Sequence, residues 1–212
     1  MISCLRSKYI MRQRRISYRV SDISLKSAAK RDIICSINKN LTGCCFVKIH
    51  IIGCSGSGKT YLANALAKKY NIPHFDLDDI QWDNNAEGYG TKRPLEERNA
   101  LLQEILNNNE WVIEGVYYAW VQQSFDEADK IYVLDMPRYL YKSRIIIRSI
   151  KRKLGIQQGK RETLKSVYNL LKWTETFQNK NLKEIKTILE KYENKVIWLS
   201  SKNDVREIIK AI

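Results

Sequence analysis

Histidine and paired cysteine are what this sequence has least of. Two histidines occur in 212 residues, and the five cysteines (Cys4, Cys35, Cys44, Cys45, Cys54) all lie in the first 54 positions without one C-x-x-C pair. A structural zinc needs four closely spaced Cys or His ligands, so none is expected. The odd count, with one thiol inside a glycine-rich loop, argues for reduced cysteines in a cytoplasm rather than a disulfide framework. No apolar run approaches the roughly 20 residues of a membrane helix, and no membrane partner is expected. Acids are also in deficit: 23 Asp and Glu face 37 Lys and Arg, a formal charge of +14. That excess favours anionic partners such as nucleotides, nucleic acid or an acidic surface.

The deficit is deepest at the start. Residues 1–45 hold ten basic and two acidic side chains and no clear hydrophobic period. This composition suits a transit peptide, a disordered basic arm, or an upstream extension with Met11 as another start. The globular domain is placed at residues 46–212. With 44% hydrophobic residues the chain can fill one core.

From Phe46 the pattern becomes one of strands alternating with helices. Phe46–Ile52, His74–Leu77, Trp111–Ile113, Ile131–Leu134 and Val196–Leu199 read as strands, the third and fourth apolar enough to be buried on both faces. Between them, helical spacing places Leu62, Ala65, Leu66 and Lys69 on one helix and Leu95, Leu102, Ile105 and Leu106 on another. Asn84, Asn85, Gly88, Gly90 and Pro94 mark a loop. Pro137 opens a long helix with Leu140, Ile147, Ile150 and Leu154 on one stripe, and periodic segments follow at roughly 162–178 and 182–192. Ser201 to Asp204 is a capping-box pattern before a last helix. This order predicts an α/β fold, a three-layer P-loop NTPase sandwich around about five parallel strands.

Gly53-Cys54-Ser55-Gly56-Ser57-Gly58-Lys59-Thr60 fits the pattern G-x-x-x-x-G-K-T between a strand and a helix. The chemistry needs every part of it. Glycines let backbone N–H groups converge on phosphate oxygens, the lysine bridges the β- and γ-phosphates, and the threonine hydroxyl ligates Mg²⁺. The helix that follows adds its positive end. No aspartate has a glycine three positions later and no N-K-x-D occurs, so the GTPase elements are missing. A compact kinase using ATP and Mg²⁺ is the leading class.

Phosphoryl transfer also needs a carboxylate to organise the metal and cations for the moving charge. Glu114 ends the third strand, at the edge where open α/β sheets place their ligand crevice, and is the metal candidate beside Thr60. Asp135 ends the fourth strand similarly, with a structural role slightly favoured. One of Asp76, Asp78 and Asp79, with Asp78 ranked first, is either a general base or acceptor contact or a helix cap. Arg144, Arg148 and Arg152 recur every four residues on one helix face, a like-charge spacing that an anion such as triphosphate would neutralise. Arg144 and Arg148 are assigned to catalysis with Lys59 and Asp78, and Arg152 to nucleotide binding. Lys160 and Arg161, after a glycine-bounded stretch, suit a lid.

With these residues in place, the chain from 47 to 212 resembles the adenylate-kinase-like P-loop kinases, most closely the DNA topology modulation (FlaR-related) group. The likeness rests on the loop, on Ile72 to Trp82, on Trp111 to Tyr117, and on Leu134 to Pro137 leading into the arginine helix. It implies ATP phosphates at Gly56, Gly58, Lys59 and Thr60, Mg²⁺ assisted by Glu114, an acceptor near Asp78, phosphate clamping by Arg144 and Arg148, and an adenine-facing loop around Ser201 to Asp204. The chain departs at Glu114, where relatives usually have aspartate, and at Val116, where they usually have asparagine. It lacks the Pro-Arg that follows Asp-Gly in adenylate kinases, so AMP is not implied as acceptor. The competing class is an ATP-responsive nucleic-acid-binding protein, for which the charge and Trp82, Trp111, Trp120, Trp173 and Trp198 as stacking surfaces would speak.

Overall fold

A computed structural model describes residues 47–83, 90–156 and 163–211. The basic segment 1–45, the loop positions Asn84, Asn85 and Gly88, and the lid candidates Lys160 and Arg161 lie outside the described residues.

Five strands, β1 (Lys48–Gly53), β2 (His74–Asp76), β3 (Trp111–Gly115), β4 (Lys130–Leu134) and β5 (Val196–Leu199), form one sheet in the order β2-β3-β1-β4-β5. Every pairing is parallel. Parallel strands need crossovers, and helices supply them. They are α1 (Lys59–Tyr70), α2 (Leu77–Gln81), α3 (Leu95–Leu106), α4 (Gln122–Glu127), α5 (Arg138–Lys153), α6 (Leu164–Thr176), α7 (Leu182–Leu189) and α8 (Lys202–Ala211). This is the three-layer P-loop NTPase sandwich, its central strand β1 flanked by β3 and β4. Covered on both faces, the sheet buries Ile49, Ile51 and Ile52 of β1 and all five residues of β3. Each such aliphatic side chain contributes about 1.5–3 kcal/mol relative to exposure. Among the described residues no helix is long and apolar enough to cross a membrane.

Local chemistry moves some boundaries. Leu77 was expected to end β2, but the Asp76 carboxylate accepts the Asp78 N–H at 2.9 Å and caps a helix that begins at Leu77. Leu77 then packs directly on Gly115, where an added Cβ would come within 2.8 Å of its side chain. In α1 the inward residues are Leu62, Ala63 and Leu66, whereas Lys69 is exposed. In α3 Leu95 is 66% exposed, because the helix meets the core only from Leu102 onward.

The largest correction concerns α5. Its buried residues are Tyr141 and Ile145, while Ile147, Ile150 and Leu154 are half or more exposed. Tyr141, Arg144, Ile145, Arg148 and Arg152 follow helical spacing, so the arginines lie on the inner face rather than beside an inward apolar stripe. The reason is what α5 packs against: the polar backbone of the glycine loop, which calls for guanidinium groups as much as for hydrocarbon.

Past α6 the chain makes one π-helical turn, Phe177–Asn181. A wider turn sets residues five apart nearly in line. Phe177 and Leu182 are both buried, and Ile185 and Leu189 continue that face along α7. Gln178 in this turn donates to Asp135 at 2.9 Å, giving Asp135 the structural role. The capping box before α8 is present: Ser201 Oγ accepts the Asp204 N–H at 3.1 Å, and Asp204 Oδ2 accepts the Ser201 N–H at 2.9 Å.

Candidate functional site

All parallel strands point their carboxyl ends the same way, so Gly53, Asp76, Glu114 and Leu134 come to one edge. The register pairs Asp76 with Glu114 across β2 and β3, and Ile51 with Glu114 across β1 and β3. Loops at this edge, beside a central strand, form the crevice of an open α/β sheet.

The loop from Gly53 to Gly58 turns there into α1. Gly56 and Gly58 have φ of 77° and 107°, and a Cβ on Gly56 would stand 2.7 Å from the Tyr141 carbonyl oxygen, so a side chain is excluded by both backbone and space. No side chain caps α1, which leaves its first-turn N–H groups directed at the crevice. Ser57 is buried and its hydroxyl has no hydrogen-bond partner among the described residues. Cys54 is buried too, and burial pushes its thiol up to about 12. Its part in the site is its backbone, which accepts from Lys59 Nζ at 3.3 Å.

Lys59, Thr60 and Glu114 meet behind the loop. Thr60 Oγ1 donates to Glu114 Oε1 at 2.5 Å, and Lys59 Nζ stands 3.8 Å from Glu114 Oε2, too far for a strong hydrogen bond but close for its charge. Glu114 is 1% exposed. His74 Nε2 is 3.9 Å from the same carboxylate, and burial holds that imidazole below its ordinary range against the opposing pull of Glu114 and Asp79. Burial, and then the charge of Glu114, push Asp76 up to about 7, despite the Asp78 N–H it accepts. Asp78 is exposed, and Tyr117 Oη donates to its Oδ1 at 2.8 Å. Burial and the Asp78 charge together raise the Tyr117 phenol, keeping it a donor.

On the other flank, Arg144 Nη1 donates to the carbonyls of Gly56 at 3.1 Å and Ser57 at 2.6 Å. Arg148 and Arg152 follow on the same face and are half-buried. A cavity of about 430 Å³ opens from Ser57, Gly58 and Arg144 toward Tyr61 of α1 and Lys202, Val205 and Arg206 of α8. It adjoins the loop expected to face adenine.

Among the described residues no cluster of three His, Cys, Asp or Glu side chains could cage a metal. Mg²⁺ does not require one, because at nucleotide sites it keeps waters and phosphate oxygens and takes only one or two protein groups. A hydroxyl on a buried carboxylate, a buried ammonium with one carbonyl contact, an orphaned serine hydroxyl and a cradle closed to any Cβ are a donor set that fits phosphates and Mg²⁺. The structure thus brings together Gly53 to Thr60, Glu114 and Arg144. Sequence reasoning placed Asp76 at the crevice edge but ranked it behind Asp78, and it missed Tyr117, Tyr61 and Arg206. Of the three missed, Tyr117 had a signal, being three residues beyond Glu114 in a segment already singled out.

No protein-family model matches this chain. Over 105 residues, 49% of the chain, it is 31% identical to the uncharacterized protein YqaC of Bacillus subtilis strain 168. The match spans 57% of that protein, little more than half its length. Among solved structures, the shikimate kinase of Bacteroides thetaiotaomicron is similar over 77% of this chain and 94% of its own, at 20% identity and a TM-score of 0.43. A gluconokinase of Sinorhizobium meliloti 1021 is similar over 78% and 90%, at 14% identity and 0.47. The shikimate kinase of Acinetobacter baumannii in complex with shikimate is similar over 78% and 89%, at 18% identity and 0.49. The fold assignment stands on this chain's own sheet order and loop.

Proposed function

We propose that this chain is an ATP- and Mg²⁺-dependent phosphotransferase that passes the γ-phosphoryl group to a nucleotide or other small-molecule acceptor, in a domain spanning 46–212 that follows a basic extension at 1–45. One observation carries the reading: Lys59, Thr60 and the buried Glu114 converge at the base of a glycine loop that leads into α1, whose N-terminus no side chain caps. Buried carboxylates are kept only with partners, and this one has a hydroxyl and an ammonium, the two groups a nucleotide with its cation uses.

The roles follow from position. Gly53, Cys54, Ser55, Gly56, Ser57 and Gly58 offer backbone to the phosphates, and Lys59 neutralises them. Thr60 and Glu114 hold the cation, whose chemistry is to draw charge from the transferring oxygens. Asp78, exposed and steadied by Tyr117, faces the acceptor and takes the proton of its hydroxyl as that oxygen bonds to the γ-phosphorus and the bond from this phosphorus to the bridging oxygen breaks, so that ADP leaves. Arg144 stiffens the loop from its own carbonyls, and Arg148 and Arg152 extend the cationic face toward the triphosphate. The segments Ile72 to Trp82 and Trp111 to Tyr117 support an adenylate-kinase-like enzyme, and the odd cysteine count with Cys54 inside the loop supports the cytoplasm.

The nucleic-acid reading loses most of its aromatic support. Trp111 is buried, and Trp120, Trp173 and Trp198 pack against the core, so these four are not open stacking platforms, while Trp82 is half-buried. The deciding experiment is a screen of nucleotides, sugars and other small alcohols for acceptor-stimulated ADP release from Mg-ATP, with calorimetry of Mg-ATP alongside. Absence of any Mg-ATP binding overturns the proposal.

A further inference from the structure

We infer that the outer face of α5 docks on a bilayer surface that carries anionic headgroups. This goes beyond the phosphotransferase reading and does not depend on it.

The inner face of α5 meets the glycine loop, and its outer face takes no part in the site. Tyr139, Ile146 and Ile150 of α5 and its C-cap Leu154 are seven, four and four residues apart, so they fall on one line along the helix, with Ile147 beside them. All five are between 44% and 70% exposed. Of the ten large apolar side chains exposed among the described residues, eight lie between Tyr139 and Tyr168, two of them on α6, which Glu175 holds to α5 through Arg138 and Lys142. Scattered exposed leucines need no explanation, but a concentrated apolar face marks a surface that something covers.

Charge selects the cover. Together α5 and α6 carry nine basic side chains and one acid, Glu175. Lys151 and Lys153 of α5 and Lys165 and Lys172 of α6 are exposed. A second copy docking through the same face would set cations against cations, and so would the chain's own residues 1–45, with ten basic and two acidic side chains. Nucleic acid suits the charge but offers isoleucine no apolar phase. An anionic bilayer surface offers both, headgroups for the lysines and acyl chains for the isoleucines, as for a helix lying in the plane of the interface. Tyr139 and Tyr168, each an apolar ring with a polar tip, suit that boundary. No spanning helix is required, and none is present among the described residues. The expectation of no membrane partner rested on spanning length, which does not bear on a helix lying flat.

The test is co-sedimentation of the full chain with vesicles of phosphatidylcholine alone and of phosphatidylcholine mixed with phosphatidylglycerol. Binding to the anionic vesicles is expected to be at least about tenfold tighter than to the neutral ones, and to weaken as salt rises. Because residues 1–45 are themselves basic, the double variant Ile146→Ser with Ile150→Ser decides. It should bind the anionic vesicles about tenfold or more weaker than the parent, with unchanged circular dichroism, since both side chains are already half exposed. Lys151→Glu with Lys153→Glu leaves the apolar face intact and should weaken binding at least as much, each lost lysine counting about fivefold. No binding to anionic vesicles, or binding that the isoleucine pair leaves unchanged, overturns the inference. So does a parent that sediments as a dimer where the isoleucine variant sediments as a monomer, which would give the face to a second copy.

Discussion

The Thr60 hydroxyl donates a 2.5 Å hydrogen bond to Glu114, 54 residues further along the chain, and so ties the phosphate loop to the end of β3. Beside it, Lys59 faces the other oxygen of the same carboxylate at 3.8 Å. One buried charge thereby sets the geometry of both residues that a nucleotide and its cation would use.

Glu114→Gln keeps an acceptor for Thr60 and removes the charge. Mg²⁺-dependent ATP affinity should fall by about 10–100-fold, as for other groups that tune a metal site, with the fold retained. Asp76 supplies an internal check, since the charge of Glu114 is the second cause of its raised pKa after burial. In the variant Asp76 should titrate lower than in the parent, which carboxyl NMR reads directly. An unmoved Asp76 would show that the two acids do not interact.

Lys59→Ala should remove tight Mg-ATP binding without unfolding the domain. Lys59 touches one carbonyl at 3.3 Å and its charge partner only loosely, so little of the fold depends on it. A charge-assisted contact contributes about 1.5–3 kcal/mol, or roughly ten- to a hundredfold in affinity. Calorimetry on a variant with unchanged circular dichroism measures this, and full affinity would remove Lys59 from the site.

Asp76 makes the stability of the nucleotide-free protein depend on pH in a defined direction. Its ordinary value is 3.8 and burial raises it to about 7 in the fold, so the folded state binds the proton more tightly. Stability from this group is complete below about pH 4 and is lost as pH rises toward 7 and through it. Asp76→Asn can still cap α2 but carries no such penalty. Its melting temperature relative to the parent should climb between pH 4 and 8, and a constant difference across that range would contradict the assignment.

Most of the fold was legible because it depends on local signals. β-branched runs such as Ile49 to Ile52, the glycine loop with its lysine, and the Ser201–Asp204 box are each recognisable within a few residues. The inward face of α5 was not. Its isoleucines suggested an apolar stripe, yet the surface it meets is the backbone of residues 56–57, whose carbonyls take Arg144. Periodicity reports how a helix divides into faces, not which partner each face meets. The same limit left Asp76 ranked behind Asp78: three neighbouring aspartates look alike in sequence, and only the pairing of β2 with β3 sets Asp76 beside Glu114.

Removing residues 1–44 should leave the sheet and Mg-ATP binding intact, because β1 begins at Lys48 and its partners β3 and β4 both come from later in the chain. Thermal melting of both forms with and without Mg-ATP is the comparison. A shortened chain that is insoluble, or gains no stability from Mg-ATP, would make the basic segment part of the domain.

Arg144 and Arg148, one turn apart on α5, should fail in different ways. Arg144 holds the carbonyls of Gly56 and Ser57, so Arg144→Ala loosens the loop before any nucleotide arrives. Its expected signature is a lower melting temperature and weaker ATP binding, by roughly ten- to a hundredfold for lost charge-assisted hydrogen bonds. Arg148 is proposed to meet the phosphoryl oxygens, where interactions formed only as charge spreads lower the barrier to transfer. Arg148→Ala should then leave ATP affinity nearly unchanged and cut the transfer rate about a hundredfold or more, by analogy with a lost oxyanion donor worth about 3–4 kcal/mol. Arg148→Lys keeps the charge and loses the planar fork, so recovery by lysine would indicate neutralisation alone and continued loss a geometric clamp. If Arg148→Ala turns over as fast as the parent, the residue serves only the packing of α5, and the clamp must be sought in Arg144 or Arg152.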